Sequence, residues 1–363
     1  MSEVEQPIWR MPAEWNPHHG TWVSWPHNQE TWPKNLDGAR EEFRALITAI
    51  AAHEFVYVCL NDDEMSARFT DWLVSDVTPG RIILVHVPTN DAWARDYAPT
   101  FVLSSSNAGG PRRPAPPWFP VANEQLGAVN WHYNAWGGKY PPFDLDQQVA
   151  RRIAEETGAT LIDSTLCLEG GAIEVNDEGV LLTTRSCVLN PNRNPDLSFA
   201  QVEAELKLRL GVDQIIWLPG DAILGDDTDG HIDQLARFVN NRTILYAWTD
   251  DQSDPQQENL RANLEALQAG LSDLNLDYEL QPLPLPAGPV FRGPQRLPAS
   301  YCNFLITNGS VIVPQFGDRN DELALSILDQ YFPEREMVGL ASNHLSVGLG
   351  SFHCLTQQMP DVN

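Results

Sequence analysis

Lysine is nearly missing from this 363-residue chain, which has it only at Lys34, Lys139 and Lys207; its 23 basic residues face 49 acidic ones, for a net charge of −26. Such a surface repels nucleic acid and anionic membranes, whose binding draws on clustered Lys and Arg. It suits a small cationic substrate by electrostatic focusing. It equally suits a salty interior in which acidic, lysine-poor surfaces keep proteins soluble, and charge alone leaves both open. Cysteine is also sparse. The five cysteines (Cys59, Cys167, Cys187, Cys302, Cys354) are odd in number, scattered and without CxxC spacing. They read as reduced thiols in a cytoplasmic protein, not as a disulfide framework or a zinc site. The first residues, Met1-Ser-Glu-Val-Glu-Gln-Pro, lack the basic and apolar regions of an export signal. No apolar run approaches the roughly 18 residues of a membrane span. No Gly/Ser linker or charge block divides the chain, so one domain over 1–363 is expected. The Pro-rich pieces at 109–117 and 282–298 read as loops within it.

What is present is a recurring order of elements. Strands over 301–307 and 310–314 flank Asn308-Gly309, a tight-hairpin signal; a helix near 320–331 and a strand near 336–340 follow. The same order is expected at 172–175, 180–184, 198–210 and 214–217, and again at 235–239, 242–247, 256–269 and 277–282. A looser copy has strands 97–103 and 128–133, a helix at 145–157 and a strand at 159–163. The N-terminal unit offers strand 21–25, helix 40–53 and strand 55–60, then helix 65–74 and strand 82–87. It lacks one hairpin strand, which residues 351–356 could supply. The expectation is an α/β fold of five ββαβ units around a pseudo-fivefold axis, since units that each bury part of their surface stack into closed arrays.

Polar residues fall at the entrance of successive hairpins: Asp96 before Tyr97, Glu169 before Ala172, His231 and Asp233 before Leu235, and Cys354 in the closing unit. Around a common axis these points share one pocket. Each has a plainer reading by itself. Asp96 beside Arg95 could be a surface ion pair, and Glu169-Gly-Gly a polar turn. His231 and Asp233, two apart on a strand, point to one face and could hold a metal with Asp227 and Asp229. His353 faces away from Cys354 on a strand, as a scaffold residue.

Eight ordered motifs carry a resemblance. They are Met11-Pro-Ala-Glu-Trp, Trp22-Val-Ser-Trp-Pro26, Asn90-Asp-Ala-Trp-Ala-Arg-Asp96, Asn134-Ala-Trp-Gly-Gly138, Glu169-Gly-Gly171, Leu189-Asn-Pro-Asn-Arg-Asn-Pro195, Asp227-Thr-Asp-Gly-His-Ile-Asp233 and His353-Cys-Leu-Thr-Gln-Gln358. From about residue 9 to 360 the chain resembles the agmatine deiminase, or porphyromonas-type peptidylarginine deiminase, family of the pentein superfamily. The resemblance implies a five-bladed α/β propeller and cofactor-free, metal-free hydrolysis of a guanidinium to a ureido group. It implies Cys354 as nucleophile, His231 as general acid/base held by Glu169, Asp96 and Asp233 as the guanidinium grip, and Trp93 as a pocket wall. A homodimer is the assembly it suggests. The chemistry agrees: a guanidinium is a planar cation with a fork of N–H donors that paired carboxylates bind bidentately. The departures are His18-His19-Gly20, Glu174, Arg185-Ser186 and Gly348-Leu-Gly-Ser-Phe352, and they bear on the shape of the pocket's far end. Agmatine is the preferred substrate, with arginine or peptidyl-arginine as alternatives. A metal-dependent guanidino hydrolase and a non-catalytic polyamine-binding module are the rival readings. Asp226 and Asp227 could bind a distal amine or cap their loop.

Overall fold

The computed structural model describes residues 8–73, 80–105 and 124–362; the Pro-rich piece at 109–117 lies outside them. Five sheets of three or four strands repeat one plan. In the third, Ile173–Val175 and Val180–Thr184 form an antiparallel pair, helix Phe199–Leu210 crosses over, and Gln214–Leu218 returns parallel to the middle strand. A parallel neighbour requires such a crossover, and a helix is the usual one. The fourth sheet (236–240, 243–248, 279–284) and the fifth (305–306, 310–315, 336–341) follow the same plan, with helices Gln257–Asp273 and Asp321–Asp329. The second adds Trp9–Arg10 beside Thr100–Ser105, then Glu124–His132, helix Asp146–Thr157 and Thr160–Cys167.

The helices follow their local sequence. In Phe199–Leu210, Ser198 and Gln201 form a reciprocal capping box, and Val202, Leu206 and Leu210 fall on one buried face. Gly211 ends it at φ 65°, where a Cβ would meet the Trp9 carbonyl at 2.1 Å.

The first sheet is closed from far away. Thr356–Pro360 pairs antiparallel with His18–Ser24, which is followed by Phe55–Leu60 and Ile82–His86, both parallel. The closing strand thus lies at 356–360 and not at 351–356; Cys354 and His353 sit in the turn before it. Three further expectations shift for one reason: the entrances to the hairpins are single helical turns, not strand. Ala94–Tyr97, Ile232–Gln234 and Tyr301–Asn303 each make one turn before their strands begin at Thr100, Ala236 and Leu305. The Pro-rich stretch at 282–298 is also partly ordered into sheet. Pro282 and Pro284 belong to Glu279–Pro284, an edge strand, where a missing N–H is tolerated. Phe291–Arg292 and Gln295–Arg296 form a two-stranded ribbon. Among the described residues no helix is long and apolar enough to cross a membrane.

Candidate active site

The helical turns gather the expected residues. Asp96 lies on Ala94–Tyr97, Glu169 caps the turn Gly170–Ala172, His231 caps Ile232–Gln234, and Asp233 rides on that last turn. The tight turn, rather than alternation along a strand, brings His231 and Asp233, two residues apart, into one site. His231 Nδ1 is 3.7 Å from Asp96 Oδ1, and its Nε2 is 3.7 Å from Glu169 Oε2. Cys354 Sγ lies 3.5 Å from Asp233 Oδ2. Gly171 makes this convergence possible, because a Cβ there would stand 2.5 Å from His231 Nδ1 and 2.9 Å from Asp96 Oδ1.

Each carboxylate is oriented from behind. Asp96 accepts from the Trp136 indole at 2.9 Å and the Gly171 amide at 3.0 Å. Arg95 does not pair with it; buried, it donates to the His353 carbonyl and to Gln358 Oε1. Glu169 Oε1 accepts from Arg193 Nε at 2.6 Å, and the Cys187 thiol approaches its other oxygen at 3.6 Å. Asn303 donates to Cys354 Sγ at 3.1 Å. Both ring nitrogens of His231, Asp233 Oδ1 and Gln234 Oε1 are buried without a hydrogen-bond partner. Leaving such atoms unpaired is costly, so the cluster is built for a polar ligand.

Electrostatics divides the acids. Burial pushes Asp96 up to about 6, helped by Asp233 and Glu169 and opposed by His231. Burial would also raise Glu169, but the neighbouring His231 ring and the Arg193 guanidinium hold it below the usual carboxylate range. Burial would lower His231, yet Asp96, Cys187 and Glu169 raise it well above an ordinary imidazole. Burial and the charges of Asp233 and Asp96 push the Cys354 thiol well up.

A cavity of about 1320 Å³ opens onto this cluster. Its wall includes the buried Trp93, Asp96 and Cys354, and its exposed rim includes Lys139 and Tyr140. His231, Glu169 and Asp233 are fully buried beside that wall. Asp227 lines the cavity, and Tyr140 donates to its carboxylate. Asp226 instead caps the loop, accepting from Thr228 and the Gly230 amide. The departures Glu174, Arg185 and Ser186 lie off the cavity: Glu174 pairs with Arg237, Arg185 sits over Phe199, and Ser186 donates to the Asp229 carbonyl.

The metal quartet His231, Asp233, Asp227 and Asp229 does not assemble. Asp229 is committed to Lys139 and Arg193. The donor clusters found among the described residues are Glu169–Cys187–His231 and Glu14–Glu174–His353, and each already contains a carboxylate bound by a guanidinium. His353 corrects a further expectation: its ring does not face away but bonds Asp233 at 2.8 Å and Glu14 at 3.0 Å. Asn303, Trp136, Arg193 and Glu14 were not singled out by role. Asn303 sits at the hairpin entrance of its own unit, so the spacing that marked the other site residues also marks it.

Residues 10–360 match the family of Porphyromonas-type peptidyl-arginine deiminases. The chain belongs to this family. It is 38% identical to the agmatine deiminase of Pseudomonas aeruginosa (strain LESB58), over 97% of this chain and 95% of that protein. Among solved structures, the agmatine deiminase of Enterococcus faecalis matches with a TM-score of 0.86 at 30% identity, over 98% of this chain and 97% of that one. A Campylobacter jejuni agmatine deiminase solved with substrate bound matches with a TM-score of 0.84 at 28% identity, over 98% and 97%.

Proposed function

We propose that this chain is a hydrolase that deiminates agmatine to N-carbamoylputrescine and ammonia, using Cys354 as nucleophile. The observation that carries the reading is the convergence of a cysteine, a histidine and two buried carboxylates, with both histidine ring nitrogens and Asp233 Oδ1 left without a hydrogen-bond partner. The guanidinium lies between Asp96 and Asp233, its alkyl chain against Trp93. Its charge offsets the two carboxylates that keep the thiol protonated, so the bound cation favours the thiolate. The sulfur attacks the central carbon to give a tetrahedral adduct. His231 gives its proton to one nitrogen, the C–N bond breaks, and ammonia leaves a thiouronium on Cys354. His231 then takes a proton from water, the water oxygen adds to the same carbon, and the C–S bond breaks while the added hydroxyl loses its remaining proton to solvent, returning the thiolate and the ureido product. Glu169 holds the imidazole in place and stabilises its charged form.

The same reading takes the five repeated sheets as blades of one propeller-like catalytic domain and the cytoplasm as its compartment. The homodimer rests on the family resemblance alone. The test is ammonia release from agmatine, arginine and an arginyl peptide. Agmatine is expected to be turned over with the highest kcat/KM, insensitive to chelator and stopped by a thiol alkylator. Release of ammonia from none of the three would refute the reading.

Asp96 supplies a pH signature. With its carboxyl near 6, kcat/KM should fall as pH drops through that value, because the neutral acid cannot grip a cation. The Trp136 indole lowers that value by donating to the ionised form. Trp136→Phe removes a hydrogen bond to a charged group, a loss of about 1.5–3 kcal/mol. The acid limb should therefore move up by roughly one to two pH units. An unmoved limb in a folded variant would separate Asp96 from substrate binding.

A further inference from the structure

Among the buried titratable groups that the site residues above leave without a task, one stands against the reacting groups. His353 is 1% exposed and lies beside the nucleophile. Its Nδ1 meets Asp233 Oδ2 at 2.8 Å, and its Nε2 meets Glu14 Oε2 at 3.0 Å. We propose that His353 is a positioning residue, spanning the carboxylates of Asp233 and Glu14 so that the free Asp233 oxygen is aimed at the substrate guanidinium. This rests on the deiminase reading, in which Asp233 grips that group.

Each of the two contacts needs a hydrogen between nitrogen and oxygen, so the ring donates in two directions. The ring is anchored on every side. Glu14 is itself fixed by Arg237 and by the Ile306 amide at 2.8 Å. The His353 amide donates to the Asn303 carbonyl at 3.3 Å, and its carbonyl accepts from Arg95 Nε at 3.2 Å. Asp233 has one oxygen held by this ring, and its other oxygen, Oδ1, has no protein partner. A carboxylate pinned through one oxygen presents the other in a fixed direction, which lowers the ordering cost of binding.

The charged surroundings are mixed. Facing Asp233 are His231 from its own turn, Asp96 from the turn 94–97, and Arg237 from the strand 236–240. Cys354 stands beside it on the chain of His353 itself, and Glu174 and Arg95 lie behind Glu14. Burial would raise Asp233, but the His353 hydrogen bond and charge, followed by His231 and Arg237, hold it below the usual range. Losing the His353 donor therefore raises Asp233, and a carboxyl that protonates at higher pH loses its cation grip at higher pH.

Two substitutions separate aiming from packing. The amide nitrogen of asparagine falls near the histidine Nδ1, and that of glutamine near Nε2. His353→Asn thus keeps a donor for Asp233, whereas His353→Gln keeps one for Glu14 only. The readout is the agmatine Kd by calorimetry in a Cys354→Ser background. His353→Gln is expected to bind at least tenfold more weakly than the parent, and His353→Asn at least threefold more tightly than His353→Gln. The pH below which binding falls should move up further in His353→Gln than in His353→Asn. Equal Kd values and equal pH profiles in the two variants, with equal melting temperatures, would overturn the proposal while leaving the deiminase reading intact. Should either variant fail to fold, nitrogen-15 spectra of the Cys354→Ser protein decide. Two His353 ring N–H signals, each coupled across a hydrogen bond to a carboxylate, support the bridge, and a single ring N–H overturns it. No agmatine binding, together with no ammonia from any guanidino compound, would remove the deiminase reading and this inference with it.

Discussion

Cys354→Ser is expected to lower ammonia release by on the order of 10⁴-fold or more, with agmatine binding retained. The reason lies in what surrounds the sulfur. Asn303 donates to it at 3.1 Å, while Asp233 stands at 3.5 Å and Asp96 adds a second negative charge. Burial and these charges keep the resting group as a thiol, well above its ordinary range. Only the cation between the two carboxylates reverses that balance, and a serine hydroxyl, far less acidic, cannot follow. The same balance governs the free enzyme. Iodoacetamide should inactivate it slowly at neutral pH and faster as the solution becomes alkaline, because the thiolate is the reactive species. Turnover by Cys354→Ser within tenfold of the parent would rule out sulfur as the nucleophile.

Arg237→Met should be the most damaging change away from the reacting groups, at about 3–5 kcal/mol of folding stability. Arg237 is fully buried and donates to Glu14, to Glu174 at 3.0 Å, and to the carbonyls of Cys302 and Phe304 at 3.0 and 2.7 Å. Methionine fills the same space with no donor, leaving two buried carboxylates without this guanidinium and two carbonyls without its N–H groups. Breaking a buried pair from one side leaves an uncompensated charge, which is far worse than never having built the pair. The check is the denaturant midpoint at constant slope. A shift worth less than about 1 kcal/mol would mean that the acids find other partners or take up protons at little cost.

How much of this was readable in the chain differs from residue to residue. Asp96, Glu169, His231, Asp233 and Cys354 share a place relative to their hairpins, and that place is a property of local sequence. The secondary structure was legible for the same reason: Asn308-Gly309 and the capping box at Ser198 act within a few residues. The local shape of the hairpin entrances was not. A single helical turn is too short to show a period, so Tyr97 and Tyr301–Asn303 read as strand and the turns at Ala94–Tyr97 and Ile232–Gln234 went unrecognised. Partners set by long-range packing were invisible as well. Glu14 meets His353 across 339 positions of sequence and Arg237 across 223, and nothing near Glu14 announces either. Trp136 was quoted within a motif, but its bond to Asp96 depends on backbone at φ 55°, a left-handed conformation that tryptophan rarely adopts.

The helical turns at the mouths of the sheets have a consequence for how activity is lost. Asp96, Glu169, the His231–Asp233 pair, Asn303 and Cys354 are each carried by a separate segment, anchored to its own neighbourhood of strands. The site is complete only when all five segments are in place, and no single segment can be loosened without displacing one member from the rest. Ammonia release therefore acts as an alarm for the whole assembly. It should fall silent when any one segment comes adrift, even while the bulk of the sheets still gives a native spectrum.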